Sequence, residues 1–233
     1  MNTFYRLKAK LGRFAVHNLS LYVTIIFGIG YLLLMTQKGQ EIYYDFLAFL
    51  PYQVLHGQIW RIFTAIFFPP VAGSGIFMGL LGIFIYYNFA STVERSLGDF
   101  EYNLYFFGSI LIGELGNILY YLISKQNVPF LPVYTHFSVF MAFAILYSEA
   151  QVLLFFIIPI KVKWLAIAEL ALYIVNFVTG DLYEKMSIGA ALVPVILFYF
   201  LVHKEKGDGN VISNMKFRME QKKRQKEWRD QWK

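Results

Sequence analysis

The sequence predicts an all-α polytopic membrane protein with six transmembrane helices and an interfacial first loop. Three observations carry that prediction. The 233 residues are 58% hydrophobic and only 15% charged, whereas a soluble domain is nearer half apolar and a quarter charged. Several apolar runs reach about 20 residues, the length needed to cross a hydrocarbon core. The basic residues gather at both ends of the chain and in two loops. An even number of spans puts all of those on one side of the bilayer, in keeping with the excess of Lys and Arg in cytoplasmic segments.

The elements follow in order. Residues 1–18 form a basic cytoplasmic arm with Arg6, Lys8, Lys10 and Arg13. No small-residue cleavage site follows the first apolar run, so no cleavable signal peptide is expected. The membrane domain covers residues 19–202. Its first span is predicted over 19–36. An apolar but interrupted stretch, 37–70, carries an arginine and ends in Pro69-Pro70; it is read as lying in the membrane interface, with Trp60 at headgroup depth. The second span is placed over 71–90. Gly73, Gly75, Gly79 and Gly82 along it permit close helix approach in lipid. A polar loop at 91–99 precedes a third span over 100–124, a turn at 125–130 and a short fourth span over 131–148. Residues 149–163 connect to the fifth span, 162–179, and the sixth runs over 187–202. Residues 203–233 are a basic cytoplasmic tail, read as a helix over 211–232 with Trp228 and Trp232 on one face. That tail suits a solvated helix or an anionic lipid surface and requires no nucleic acid.

Seventeen of the 21 basic residues fall on one side of this arrangement, leaving Lys38, Arg61, Lys125 and Lys185 on the other. Both termini are therefore expected in the cytoplasm. Cysteine is absent, which excludes disulfides and thiolate metal sites. The four histidines are scattered, and no His-Glu-x-x-His run offers a zinc site. No metal or cofactor is implied. Asp45 and Asp181 fall in predicted loops, which does not suit a shared-proton aspartyl pair.

Three motifs stand in order along the chain: Gly57-Gln58-Ile59-Trp60-Arg61 with Thr64 and Phe67; Glu94-Arg95-Ser96-Leu97-Gly98; and Ile158-Pro159-Ile160-Lys161-Val162-Lys163-Trp164. Together they resemble the rhomboid superfamily of intramembrane serine proteases over roughly residues 20–202. The resemblance implies a six-helix bundle in which Trp60, Arg61, Glu94, Gly98, Pro159, Lys161 and Trp164 are structural signature residues. It also implies where catalysis would sit, and there the chain departs from the pattern. The Gly-x-Ser-Gly of an active enzyme is replaced by Leu131-Pro132-Val133-Tyr134, with Val133 at the nucleophile position. The histidine opening span six is replaced by Ser187, and span two carries no His or Asn over residues 76–86. The first loop is similar to that of derlins, the protease-inactive relatives. The implied protein is a pseudoprotease that handles transmembrane client segments in membrane protein quality control, its partners the lipid bilayer and those clients.

The competing reading is a rhomboid-type protease with a displaced dyad built on Ser138 or Ser187. His136 lies two residues before Ser138, on a different side of the helix, and reads as an interfacial histidine. Two acids, Glu114 and Glu169, fall within spans three and five, where a charge costs at least roughly 3 kcal/mol unless it is paired or faces a polar cavity. They are expected either to line a hydrated interior or to be neutral carboxyls bonded to neighbours such as Asn117 or Asn176. A carrier built on them would be expected to show inverted repeats, and the sequence shows none. The compact loops point to a bacterial cell membrane, with the eukaryotic endoplasmic reticulum membrane as the alternative.

Overall fold

Apolar helices dominate a computed structural model that describes residues 10, 12–70, 75–154 and 158–204. The helices named here are α1 (Leu19–Leu34), α2 (Ile76–Leu97), α3 (Asp99–Ser124), α4 (Val133–Leu146), α5 (Val162–Thr179) and α6 (Leu182–Lys204). Five stretches are long and apolar enough to cross a membrane, namely α1 taken from Gly12 to Leu34, α2, α3, α5 and α6; α4, at 14 residues, is a shorter apolar helix. The chain divides into two units, Met1–Val195 and Ile196–Lys233. The described part of the second unit is the end of α6. The tail helix expected over 211–232 and Gly73 lie outside the described residues.

In the first unit, α2 packs against α1, α3 and α4, and α4 also touches α3 and α5. Glycines set the closest approaches, as expected where helices meet in lipid. A Cβ on Gly30 of α1 would fall 1.6 Å from the Phe67 carbonyl oxygen, and one on Gly79 of α2 would fall 2.0 Å from the Tyr31 ring. Phe27 of α1 is fully buried, with the Tyr86 and His136 rings edge-on at 5.0 and 4.6 Å. His136 is thus a core residue and not the interfacial histidine the sequence suggests.

Several boundaries differ from expectation, each for a local reason. The loop expected at 91–99 is helical through Leu97. Its polar side chains bond back into the helix: Thr92 Oγ1 to Asn88 O at 2.7 Å, Ser96 Oγ to Thr92 O at 2.7 Å, and Arg95 Nε to Ser91 O at 3.0 Å. Polarity there does not end the helix. Gly98 alone then separates α2 from α3, at φ 95°, a conformation that favours glycine. α6 starts at Leu182, five residues before the expected Ser187, because Asp181 Oδ1 caps it by accepting from Glu184 N at 2.8 Å.

Residues 37–70 are a chain of short turns: Gln37–Ile42, a π-type turn over Tyr43–Leu47, Pro51–Leu55, Arg61–Thr64 and Ala65–Phe67. They are fastened to the 125–130 turn on the same end of the unit. Phe130 N bonds Phe49 O at 2.8 Å, and Tyr52 N bonds Asn127 Oδ1 at 3.0 Å. The connection after α4 is an antiparallel hairpin, β1 (Gln151–Leu154) and β2 (Ile158–Lys161), which an all-α reading omits. Pro159 stands opposite Leu153, and with only two strands its missing N–H faces an open edge.

Candidate functional site

The first loop is organised by Trp60, Arg61 and Thr64, which meet five consecutive backbone carbonyls of the preceding turn. Arg61 is 2% exposed. Its Nη1 donates to Ala48 O at 2.7 Å and, more weakly, to Tyr44 O at 3.5 Å; its Nη2 donates to Asp45 O. Trp60 Nε1 donates to Phe46 O at 3.1 Å, and Thr64 Oγ1 to Leu47 O at 2.7 Å. Gln58 Oε1 accepts from Arg61 Nε at 2.6 Å and fixes the plane of the guanidinium. The carbonyl end of a helical turn carries partial negative charge and unmet acceptors, so a cation with several planar donors is the side chain that suits it. Burial lowers the Arg61 pKa, opposed by the charge of Asp45.

The second signature acts at the opposite end of the helices. Asn18, at φ 54°, provides no side-chain cap for α1. The free N–H groups of Leu19 and Ser20 are met instead by Glu94 from α2, at 2.6 and 3.0 Å, and the Ser20 hydroxyl adds a bond of 2.5 Å. A buried carboxylate on a helix N-terminus satisfies both the orphan donors and the helix dipole. Asn103 holds the chain just upstream, bonding Val16 N and Val16 O at 2.9 and 3.0 Å, and Asp99 pairs with His17 at 2.6 Å. At the base of the hairpin, Glu149 bonds Lys161 at 2.8 Å and Lys163 at 2.6 Å, which pulls its pKa down to about 2. Trp164 beside them is exposed, with the Lys163 amine 6.0 Å from its ring.

Between these ends lie the positions where a rhomboid nucleophile and base would stand. Val133 is packed against a buried cluster of Tyr43, Ala48 and Phe68, together with Leu131. Tyr43 is fully buried, and burial, with Tyr44 and Tyr183 as neighbours, raises its pKa. Tyr183 in turn donates to Pro129 O at 3.0 Å, and Ser187 stands one turn further along α6. Ser138 Oγ donates within its own helix to Thr135 O at 2.6 Å. His136 Nε2 lies 2.9 Å from Phe68 O and carries the proton of that bond. Val133 thus packs on the Tyr43 cluster, and among the described residues no hydrogen bond joins Ser138 or Ser187 to His136. Tyr43 was not singled out in the sequence, where a tyrosine in an interfacial stretch reads as a headgroup anchor.

The intramembrane polar residues separate into two places. Glu114 and Asn117 are one turn apart on α3, each 3% exposed. Asn117 Nδ2 donates to Val128 O at 3.1 Å, while Asn117 Oδ1 and Glu114 Oε1 have no partner among the described residues. Glu169 on α5 is half-buried and accepts from Tyr173 at 3.2 Å. No group of three His, Asp or Glu among the described residues is placed to hold a metal ion.

A family model described as eukaryotic integral membrane protein (DUF1751) matches residues 19–211. No curated protein and no solved structure matches the chain. The eukaryotic description weighs against the bacterial membrane suggested by the compact loops and favours the endoplasmic reticulum alternative. Short loops reflect tight helix packing, which is not a property of one cell type.

Proposed function

The chain belongs to the DUF1751 family of eukaryotic integral membrane proteins, and within that family we propose that it is a rhomboid-like pseudoprotease. It spans the membrane six times, with both termini cytoplasmic, in the endoplasmic reticulum. It binds or handles transmembrane segments of other proteins, as derlins do in membrane protein quality control. The observation that carries this reading is what stands at the nucleophile position: Val133, a side chain with no nucleophile, packed against the buried cluster of Tyr43, Ala48 and Phe68. Hydrolysis of a peptide bond needs a nucleophile beside a base and room for the reacting carbonyl. The Ser138–Thr135 bond supports it further. The short α4 and the exposed apolar side chains of the first loop (Phe46, Ile59, Trp60 and Phe63) suit a protein that perturbs the lipid around it and eases lateral access.

The test uses purified full-length protein in vesicles with a photoreactive polyleucine transmembrane peptide. The peptide is captured and left uncleaved, and a fluorophosphonate probe labels nothing. Cleavage of the peptide that Ser138→Ala or Ser187→Ala abolishes would overturn the reading in favour of a protease with a displaced dyad.

A further inference from the structure

We propose that the Glu169–Tyr173–Asn176 face of α5 is a docking site for a transmembrane helix carrying a lysine or arginine near its midpoint. The inference rests on the reading of this chain as a binder of transmembrane segments and names the class of segment. α5 is the least covered of the five long apolar helices: only 11% of its apolar window is buried. Its main packing partners in the first unit are α4 and β2, and Ile167, Leu172, Ile174 and Phe177 are exposed. Glu169, Tyr173 and Asn176 are spaced four and three residues apart and so share one side of the helix. Tyr173 is buried against Tyr134 and Phe137 of α4, ring centroids at 5.5 and 6.2 Å. Glu169 is half-buried and Asn176 exposed. The tyrosine therefore anchors the stripe to the protein, with the half-buried acid and the exposed amide flanking that contact at its edge.

Depth decides what can cover that surface. At 1.5 Å per residue Glu169 lies about 10 Å into a helix about 27 Å long, close to the bilayer midplane. Lipid tails offer no donor there, and Tyr173 supplies the one hydrogen bond the carboxylate receives among the described residues. A lysine or arginine at the same depth of another helix carries the complementary charge and the same need for a partner. Pairing them relieves the penalty on both, and the Asn176 amide adds an interhelical hydrogen bond. A second copy of this chain docking symmetrically would bring two Glu169 carboxyls together. The charged tail of this chain does not suit the midplane.

The full-length protein in phosphatidylcholine vesicles tests this with two photoreactive peptides, a polyleucine helix and the same helix with one central lysine. The lysine peptide is expected to be captured about tenfold more than the plain one, the change that corresponds to roughly 1.4 kcal/mol. Glu169→Gln is expected to bring the two to equal yield, and Glu169→Lys to reverse the preference toward a peptide with a central aspartate. Equal capture of both peptides by the unchanged protein overturns this inference and leaves the general reading standing. Capture of neither overturns both. A protein–protein adduct through this face in place of the peptide adduct assigns it to self-association and overturns the proposal.

Discussion

Arg61 shows what a charged side chain is for in an apolar loop. The turn at Tyr43–Leu47 ends in carbonyls that no following helical turn meets, and three side chains of one short segment meet them. Arg61→Ala removes the donors of three carbonyls at once, of which Ala48 O is buried, and a buried acceptor left unmet costs about 1–3 kcal/mol. The variant is expected to fail to accumulate as folded protein, measured by size-exclusion profile in detergent. Arg61→Lys keeps the charge without the planar fork, and it is expected to fold with a lowered melting temperature. Glu94→Gln keeps an acceptor for the α1 N-terminus but loses its charge, a loss of about 1–2 kcal/mol by the same thermal assay. These residues were legible because their types are out of place: an arginine in a greasy stretch, an acid at a helix end. Tyr43 was not legible, since nothing in its own neighbourhood distinguishes a tyrosine at an interface from one that fills a cavity. His136 misled for the opposite reason, because its carbonyl partner, Phe68, is 68 positions away in sequence.

At the scale of elements, contact between α1 and its neighbours depends on two glycines whose obstacles differ. A side chain at Gly79 meets the end of the Tyr31 ring, which can swing aside; one at Gly30 meets the Phe67 backbone, which is fixed within the first loop. Gly79→Ala is therefore expected to cost about 1–3 kcal/mol, the range for overpacking, and Gly30→Ala distinctly more. Melting temperatures of the two variants in one detergent rank them, and the reverse order contradicts this account. The helices themselves were readable from apolar length, and the fifth was placed to the residue. What failed was the rule that polar residues mark loops, at 91–97, where hydroxyls bond their own helix. The hairpin was hidden because its strands are short and apolar on both faces. Its base is held by Glu149 between two lysines, and the carboxyl's depressed pKa makes that contribution complete above the ordinary carboxylate range. It is lost as pH falls toward about 2. Hairpin amide protection, corrected for intrinsic exchange, is thus expected to be flat over about pH 5–8.

For the whole molecule, the number of crossings turns on α4. It is the shortest of the six, about 21 Å against a hydrocarbon core of about 30 Å. Yet eight of its 14 residues are buried, among them Thr135, His136 and Ser138. A helix enclosed by protein does not have to match the lipid around it, since its ends are met by neighbours and by the turns that enter and leave it. Charge argues the same way: if α4 crosses, Lys161 and Lys163 join the basic ends on one face, and if it does not, they join the 125–130 turn on the other. The chain contains no cysteine, so a single introduced cysteine reports its side without interference. Gln126→Cys and Lys163→Cys are both at exposed or half-exposed positions flanking α4. In sealed microsomes with their cytoplasmic face outward, an impermeant maleimide is expected to label position 163 directly and position 126 only after permeabilisation. Labelling of both from the same side means that α4 turns back within the membrane. The even count, and with it the placing of both termini in the cytoplasm, then falls.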